Sequence, residues 1–473
     1  EEIVPTENDD WRGGDIQGEV HDESTFVFMK DGRAIGSAGL FSTVPDLLNF
    51  LEMLLNKGEL NGKRYFSPEI INSMHTNQLE YLGESAGLGW ELYQPRYMGQ
   101  YCAKETFGKT GFTGCVVICD ITRAVPNTLI LKPVLVRLEA AGVPRENITI
   151  LIATGLHRPS SEEELVHLVG KEICEQYRVV DHHARIQEEH RFLGTTARGT
   201  PVWIDRRYCD ADLKITTASI EPHLMAGFSG GRKMVAPGCA GVETIKVLHS
   251  PAILEDPRCR EGCLDGNPLH EEMLSIAKMV GHDFVVNVAL DEKGRMTGIF
   301  AGDPERAHGV GVEHIRKSVK STLKEPADIV ITTAAGYPLD LTYYQAIKGM
   351  TAALPVLKAG GTLILAAECS EGLGNDEFRR MATSFTTPAS FRDWILSNPV
   401  LIDQWQLEEC AKAALWAEVV LVADGIPKEE RGRLFVGTAS NVEEALSKAL
   451  EKHGSDATVA VIPKGPYTLV HLE

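Results

Sequence analysis

The sequence predicts an α/β fold in which parallel-rich sheets are covered by helices on both faces. Three observations support this prediction. From about residue 116 to the end, short apolar runs alternate with longer segments of helical character. The runs are nearly continuous and bounded by Gly, Asp or Ser, as in strands buried on both faces. Polar residues that could carry chemistry follow several runs directly, where α/β folds place ligand sites.

The apolar runs predict strands, and the first segments between them predict helices. Strands are expected at 116–121, 148–155, 213–220, 284–291, 328–336, 362–368 and 419–425. Helices are expected at 128–142 and 162–177. The segment ALDEKGRMTGIFAGD, residues 289–303, reads as a strand pair. The pattern therefore indicates helices layered on sheets.

The chain divides into three predicted segments, 1–114, 115–262 and 263–473. The first lacks the regular alternation, and its Leu-rich helical spacing after Ser42-Thr43 predicts a helix start there. The Cys- and Gly-rich stretch EDPRCREGCLDGNP interrupts the alternation near the second boundary. We expect two α/β lobes preceded by a truncated α+β fragment.

The composition of the chain argues against some classes of binding partner. The 473 residues carry a formal net charge of -19, which argues against nucleic acid or an anionic membrane surface as a partner. No apolar run is long enough for a membrane span, and the first residues lack a signal-peptide pattern. The ten cysteines form no metal-type or disulfide framework, so we expect reduced thiols in a cytoplasmic protein. The oligomeric state stays open.

Four short segments hold the residues best suited to chemistry. They are Asp120-Ile121-Thr122-Arg123, Thr154-Gly155-Leu156-His157-Arg158-Pro159, Glu221-Pro222-His223 with Ser229-Gly230-Gly231-Arg232-Lys233, and Leu248-His249-Ser250. Three histidines after strand ends favour metal binding or proton transfer over a purely structural role. The first segment fits phosphate binding or a capping turn. The Gly-rich segment fits a phosphate cradle with two cations or a flexible turn.

Together these segments resemble the nickel-pincer lactate racemase family over about 350 residues. The order of the motifs carries the resemblance: Asp-x-Thr-Arg, Thr-Gly-x-His-Arg-Pro, Glu-Pro-His, Ser-Gly-Gly-Arg-Lys, and a His sixteen residues later. A Gln-x-x-Lys pair in YYQAIKG, Gln345 and Lys348, also matches. The resemblance implies a racemase or epimerase acting on a small 2-hydroxyacid, with two lobes of the family's type.

The resemblance also implies a cofactor, a nickel-pincer nucleotide whose pyridinium ring grips nickel through two sulfurs and a carbon. Lys233 would tether it, and His249 would be a nickel ligand. Asp120, Ile121, Thr122 and Arg123 would hold its phosphate end, while His157 and His223 would be the acid/base pair. Arg123, Gln345 and Lys348 would face the substrate. Separate cofactor-biosynthesis proteins would be required as partners.

These residue types suit the implied reaction. The hydrogen on C2 of a 2-hydroxyacid is barely acidic, so its removal as hydride needs an electron sink such as a pyridinium–nickel unit. The hydroxyl proton needs a base with a pKa near neutrality, which histidine supplies. A fixed cation captures the carboxylate. Nickel with sulfur and imidazole ligands agrees with the preferences of this metal.

Residues 1–114 resemble the C-terminal part of a serine β-lactamase or penicillin-binding-protein-like esterase. The segment GLFST-x-x-DL and the Lys109-Thr110-Gly111 triplet carry this resemblance. No Ser-x-x-Lys precedes the triplet, so the nucleophile is missing and we expect no hydrolysis. This segment stands where the racemase family has the first part of its N-terminal domain. The two parts meet near Gly114-Cys115-Val116, and missing strands would leave an exposed sheet edge.

Two other functions remain as alternatives. One is a catalytically silent fusion of two truncated domains, derived in part from a serine hydrolase. The other is a zinc- or nickel-dependent hydrolase that uses the same histidines, although hydrolysis gives no reason for Lys233. Among the remaining histidines, His167 and His190 are expected to be exposed, and His182-His183 to be a surface pair more readily than support for the site.

Overall fold

The computed structural model describes residues 44–78, 80, 113–141 and 143–473, and the short strands Glu7–Asp9, Gly14–Ile16, Glu91–Leu92 and Phe107–Gly108. The chain divides into two compact units. One comprises Glu1–Thr113 with Val136–Asn147, and the other comprises Gly114–Leu135 with Ile148–Glu473. Every predicted site residue belongs to the second unit.

The first unit contains two described helices, α1 (Val44–Leu55) and α2 (Pro68–His75). The helix start predicted after Thr43 is confirmed. Met53 and Leu54 pack with Ile71 in a small core, whereas Leu48 is 60% exposed. The helix α1 therefore buries only part of its apolar surface. The Lys109-Thr110-Gly111 triplet lies outside the described residues.

A six-stranded sheet forms the first layer of the second unit. Its strands are β1 (Gly114–Cys119), β2 (Ile148–Ala153), β3 (Arg178–Asp181), β4 (Leu213–Ser219), β5 (Phe284–Leu290) and β6 (Met296–Gly302). Their spatial order is β6-β5-β4-β1-β2-β3. All pairs are parallel except β5 with β6, which confirms the strand pair predicted at 289–303. Strand β1 lies inside this sheet with every residue buried, so the junction near Val116 is not at an edge.

A second, fully parallel sheet follows. Its strands are β7 (Ala327–Thr333), β8 (Leu357–Ala366), β9 (Glu418–Val422), β10 (Gly437–Thr438) and β11 (Val459–Ile462), in the order β10-β9-β8-β7-β11. Parallel pairing joins all neighbours. The predicted α/β class with parallel-rich sheets is thus confirmed. The predicted boundary between residues 262 and 263 stays a prediction. Strands β5 and β6 follow this boundary in the sequence, but they pair within the first sheet.

Helices connect and cover the strands. They are α3 (Asn127–Ala140), α4 (Glu162–Val169), α5 (Lys171–Gln176), α6 (Arg206–Cys209), α7 (Val242–Leu248), α8 (Pro251–Leu254), α9 (Pro268–Val280), α10 (Pro304–Val319), α11 (Tyr343–Ala353), α12 (Asp376–Ala382), α13 (Pro388–Ser397), α14 (Gln404–Trp416), α15 (Lys428–Arg431) and α16 (Val442–His453). Nothing among the described helices combines the length and apolar character that a membrane crossing requires.

The single helix predicted at 162–177 is wrong in one respect, because it is two helices. Ser161 caps α4 and forms a capping box with Glu164. Gly170 then adopts a φ of +86° and its N–H bonds to the carbonyl of Val166, which ends the helix. The apolar periodicity continues through the break, so periodicity alone did not reveal it.

Candidate active site

The candidate site lies at the carboxyl ends of three neighbouring parallel strands. Asp120 follows β1, His157 lies four residues after the end of β2, and Glu221 follows β4. Parallel strands direct these ends to one edge of the sheet, where α/β folds bind ligands. Residues more than 100 positions apart in the sequence are thereby brought together.

Asp120 and His157 form a hydrogen-bonded pair. The buried Asp120 carboxylate lies 2.6 Å from Nδ1 of His157, and its other oxygen accepts the hydroxyl of Thr122 at 2.6 Å. Burial alone would raise the pKa of Asp120, but the hydrogen bonds from His157 and Thr122 outweigh it and lower the pKa. The carboxylate therefore accepts the Nδ1–H of His157, so Nε2 is the ring nitrogen left for other partners.

His223 is held by a different kind of partner. It lies on the hairpin Pro222–His223/Gly227–Phe228, and its Nδ1 accepts the backbone N–H groups of Met225 at 3.3 Å and Ala226 at 3.1 Å. Burial, followed by the charge of Lys233, lowers the pKa of His223 well below its usual range. The neutral ring therefore carries its proton on Nε2, because Nδ1 acts as an acceptor.

Lys233 lies against His223, with its Nζ 2.9 Å from Nε2 of the ring. Burial, followed by the charge of Arg123, lowers the pKa of Lys233 well below its usual range. A neutral amine can accept the Nε2–H of His223, so the two protonation states agree. An uncharged lysine is also the nucleophilic form that covalent attachment requires.

Two further basic residues, Arg123 and Lys348, lie close enough to His223 and Lys233 to lower their pKa values. Arg123 lies 3.5 Å from the Glu221 carboxylate. Burial opposes the charge of Arg123, but Glu221 and the other acidic groups around it together outweigh burial and raise the pKa of Arg123. Lys348 on α11 donates to Gln345 Oε1 at 2.5 Å. Burial, followed by the charge of Arg123, lowers the pKa of Lys348 to about 7. The site thus keeps one permanent cation and one that titrates near neutrality.

His249 ends helix α7, and its ring is buried. Its Nδ1–H donates to the carbonyl of Ile245 at 2.8 Å, so Nε2 keeps a lone pair. The ring packs against Trp405, with centroids 4.6 Å apart. Burial is the main reason that the pKa of His249 falls to about 4. His249 is therefore neutral and in the form that a metal ion binds.

A polar network beside His249 was not predicted. The indole of Trp405 donates to the hydroxyl of Tyr344 at 3.1 Å, which donates to Asp403 at 3.2 Å. Asn375 donates to the same carboxylate at 2.6 Å. Asp403 has a φ of +66°, an unusual conformation for a residue with a side chain. The sequence offered one signal for this network, because Tyr344 directly precedes the predicted site residue Gln345. Asp403 and Trp405 belong to no recognisable sequence motif.

Arg232 bears on one of the two interpretations of the Gly-rich segment, a phosphate cradle with two cations. Its side chain is buried, and it donates to the carbonyls of Ala226 at 2.9 Å and Phe228 at 3.2 Å. His308 lies 2.8 Å from the same guanidinium. Burial lowers the pKa of Arg232 to about 9. Arg232 therefore stabilises the loop that presents Lys233. Its two terminal NH2 groups are occupied within the protein, and its Nε is buried without a hydrogen-bond partner among the described residues.

The remaining histidines only partly match their predictions. His182 is 1% exposed and lies between Asp205 and the carbonyl of Ala240, each 3.0 Å away, so it is not a surface residue. His190 is also 1% exposed, which makes its predicted exposure wrong. His167 is exposed as predicted. The burial of His182 and His190 arises from contacts with residues distant in the sequence, so the sequence pattern alone did not reveal it.

Comparison with known proteins gives a consistent result. Residues 103–262 match the family model for the lactate racemase N-terminal domain, and residues 322–470 match the lactate racemase C-terminal domain. A lactate racemase of Lactiplantibacillus plantarum is 37% identical over 353 residues, which is 74% of this chain and 83% of the relative.

A solved structure extends the comparison to the fold. The lactate racemase apoprotein from Thermoanaerobacterium thermosaccharolyticum superposes with a TM-score of 0.73 at 30% identity, covering 92% of this chain and 98% of that one.

The N-terminal segment resembles another class of protein. An N-acetylmuramyl-L-alanine amidase of Bacillus subtilis is 34% identical to this chain over 113 residues, which is 23% of this chain and 25% of the relative. The segment thus corresponds to about a quarter of that protein.

Proposed function

This chain belongs to the lactate racemase family, and from that premise we propose that it interconverts the two enantiomers of a lactate-like 2-hydroxyacid. The observation that carries the proposal is that the two histidines have different partners at Nδ1: Asp120 accepts the Nδ1–H of His157, whereas backbone N–H groups donate to Nδ1 of His223. One ring can accept a proton and the other can donate one. A reaction that runs in both directions through mirror-image substrates needs such a pair.

The acid/base chemistry concerns the substrate hydroxyl. Nε2 of one histidine takes the hydroxyl proton while the hydrogen on C2 leaves with its electron pair, which gives a flat 2-oxoacid. Return of that hydrogen to the opposite face of the carbonyl carbon, with a proton on its oxygen, gives the other enantiomer. Asp120 fixes the ring of His157, and two backbone amides fix that of His223.

We assign substrate binding to the two basic residues of the site, Arg123 and Lys348. Arg123 remains charged because Glu221 lies beside it, and a guanidinium matches a carboxylate in geometry. Lys348 adds a second charge when it is protonated, and Gln345 fixes its position. We assign the carboxylate of the 2-hydroxyacid to these residues.

The chain's residues fit a tethered nickel cofactor. Among the described residues, no group of three or more His, Cys, Asp or Glu side chains could hold a metal ion, so nickel at His249 needs further ligands from a cofactor. His249 offers a free Nε2, and Lys233 offers a neutral amine for attachment. Thr122 and Arg123 would bind the phosphate end. When bound, the cofactor would supply the acceptor for the hydrogen and its electron pair.

We expect Lys233→Ala to lose the covalent cofactor adduct and racemisation together, because no other described amine occupies its position beside His223. The variant is co-expressed with the cofactor-making proteins and examined by intact mass and chiral product assay. His249→Ala should keep the adduct mass but lose nickel on metal analysis. Lys246→Ala is the matched control, since Lys246 pairs with Glu243 at 3.1 Å outside the site.

The control should retain adduct, nickel and activity. A Lys233→Ala variant that still carries the adduct mass and racemises would show that Lys233 is not the tether. Full nickel occupancy in the His249 variant would remove His249 as a ligand.

A further inference from the structure

A short turn from the C-terminal part of the chain reaches the candidate active site. It comprises residues Gly465–Tyr467 and lies between β11 and the strand Leu469–Leu472. The turn lies against helix α11, which carries Gln345 and Lys348, and against the strand Pro222–His223. It belongs to none of the four segments that first indicated the site.

Close packing fixes the position of this turn. A Cβ at Gly465 would lie 2.5 Å from Oγ1 of Thr332 and 2.9 Å from the carbonyl oxygen of Thr333, at the end of β7. It would also lie 3.4 Å from Cα of Gly349, the residue after Lys348. Because a side chain at position 465 would collide with these atoms, the turn packs directly on the helix that carries Lys348.

The hydroxyl of Tyr467 lies in the electric field of two charged groups of the site, Glu221 and Arg123. Burial, followed by the charge of Glu221, raises the pKa of Tyr467 to about 12, and the charge of Arg123 opposes this rise. Tyr467 is in turn among the groups that raise the pKa of Arg123. The phenol therefore keeps its proton near neutral pH and remains a hydrogen-bond donor.

The Tyr467 hydroxyl differs from those of more deeply buried tyrosines, because no described residue accepts its proton. Tyr208 donates to the carbonyl of Gly281 at 3.0 Å, and Tyr344 donates to Asp403 at 3.2 Å. Tyr467 is 38% exposed, so its hydroxyl can bond to water. A ligand that replaces this water would find a donor already in position.

Glu221 is the acceptor that could compete for this hydroxyl. One of its oxygens accepts from Ser219 at 3.3 Å, and the other accepts from Arg123 at 3.5 Å. No hydrogen bond joins Glu221 to Tyr467 in the described part of the chain. The Tyr467 donor is therefore left for a group that binds beside Arg123.

We propose that Tyr467 is a substrate-binding residue, whose hydroxyl donates to the carboxylate of the 2-hydroxyacid beside Arg123. This inference rests on the proposed function. The two oxygens of a carboxylate accept hydrogen bonds from several directions, so a donor beside the guanidinium adds to its binding. A neutral phenol adds this donor without a further charge, at a place where Arg123 already lowers the pKa of Lys348.

The test compares Tyr467→Phe with the unmodified chain, both co-expressed with the cofactor-making proteins. Isothermal titration calorimetry measures the binding of sodium propionate, which has the substrate's carboxylate but no hydroxyl and cannot be racemised. We expect Tyr467→Phe to raise Kd about tenfold or more, because a hydrogen bond to a charged group is lost. KM for each lactate enantiomer should rise by a similar factor with kcat little changed, since the transition state keeps the same carboxylate.

The pH dependence separates this contact from that of Lys348. Because the pKa of Tyr467 is about 12, the phenol stays protonated up to about pH 9. The ratio of Kd in Tyr467→Phe to Kd in the unmodified chain should therefore stay constant between about pH 6 and 9.

Tyr208→Phe is the matched control, because it removes a hydroxyl that bonds only to a backbone carbonyl. It should lower the free energy of unfolding in urea and leave Kd and KM unchanged. An unchanged Kd in Tyr467→Phe, an equal rise in Tyr208→Phe, or no saturable binding of propionate to the unmodified chain would overturn the inference. A raised Kd in Tyr467→Phe, in a chain that racemises no 2-hydroxyacid, would support the carboxylate contact and contradict only the proposed function.

Discussion

At the residue scale, the two histidines of the site are fixed by partners of opposite character. A carboxylate accepts the Nδ1–H of His157, whereas backbone amides donate to Nδ1 of His223. The partner of Nδ1 dictates the state of Nε2, which is the atom left for the substrate. The difference between the two rings therefore arises from local hydrogen bonding and not from the residue type.

We expect His157→Ala and His223→Ala each to slow racemisation by about 10²–10⁴-fold, the usual contribution of general acid–base catalysis. The losses should be unequal in the two directions, because each ring serves one enantiomer as base and the other as acid. Initial rates from each pure enantiomer measure this. His167→Ala, an exposed histidine, is the control. Losses below about tenfold in both variants and both directions would contradict the assignment.

Lys348 gives a prediction about pH. Because burial and Arg123 lower its pKa to about 7, Lys348 is charged below that pH and loses its proton above it. If this charge binds the substrate carboxylate, KM should rise as the pH increases through about 7. Lys348→Arg keeps its charge throughout and should flatten the KM profile between about pH 6 and 9. Profiles of the same shape in both proteins would show that Lys348 does not bind the carboxylate.

At the scale of elements, helix α14 joins two parts of the second unit. Trp405 at its start contacts His249, and Lys412 near its end donates to the carbonyl of Leu254 at 2.7 Å and to Glu409 at 2.8 Å. Glu408 is 1% exposed. Its carboxyl group lies 3.8 Å from Nζ of Lys412, but neither of its oxygens has a hydrogen-bond partner among the described residues. A buried carboxyl group in this state destabilises the folded chain when it ionises.

Burial raises the pKa of Glu408 to about 8 from a usual value of 4.5. The folded chain therefore holds this proton more tightly than the unfolded chain does. The resulting stabilisation is present below about pH 4.5 and is lost as the pH rises through about 8. We expect Glu408→Gln to be more stable than the unmodified chain, by a margin that grows between about pH 5 and pH 8.

Urea unfolding at several pH values measures this margin. Glu444→Gln is the control, because Lys448 and Ser440 lower the pKa of the exposed Glu444 to about 2. Its contribution has the opposite sign and is lost only on acidification. A margin for Glu408→Gln that shrinks with rising pH would refute the expected sign.

At the scale of the whole molecule, the second unit holds every predicted site residue, and β1 begins it at Gly114. Strand β1 pairs with β2 on one side and β4 on the other, and all its residues are buried. Its end places Asp120 next to His157. The candidate site residues among the described part of the chain therefore all belong to the second unit.

We expect the full chain to racemise a 2-hydroxyacid but not to hydrolyse an ester or a chromogenic β-lactam. The reason is that residues 1–108 contain no Ser-x-x-Lys motif to supply a nucleophile beside Lys109-Thr110-Gly111. Spectrophotometric assays of both substrates test this, with a serine β-lactamase as the positive control. Turnover that disappears in Lys109→Ala would show that the N-terminal segment retains a hydrolytic site.

The sequence alone predicted the fold class, which the structure confirms, and most residues of the candidate site. Continuous apolar runs mark buried parallel strands, because a strand covered on both faces has no solvent side. The polar segments after β1, β2 and β4 could therefore be assigned to one edge before any contact was known. The roles of Lys233 as a tether and of His249 as a nickel ligand were assigned only through the resemblance to a family.

Only the tertiary structure determines which groups lie next to each side chain. These neighbours in turn determine whether the side chain is charged. Arg232 and Lys233 are neighbours in one Gly-rich segment, yet Arg232 turns to carbonyls of its own hairpin and Lys233 turns to His223. Asp403 and Trp405 join the site from a third region. Protonation depends on burial and on groups within a few ångströms, and these distances arise only when segments far apart in the chain pack together.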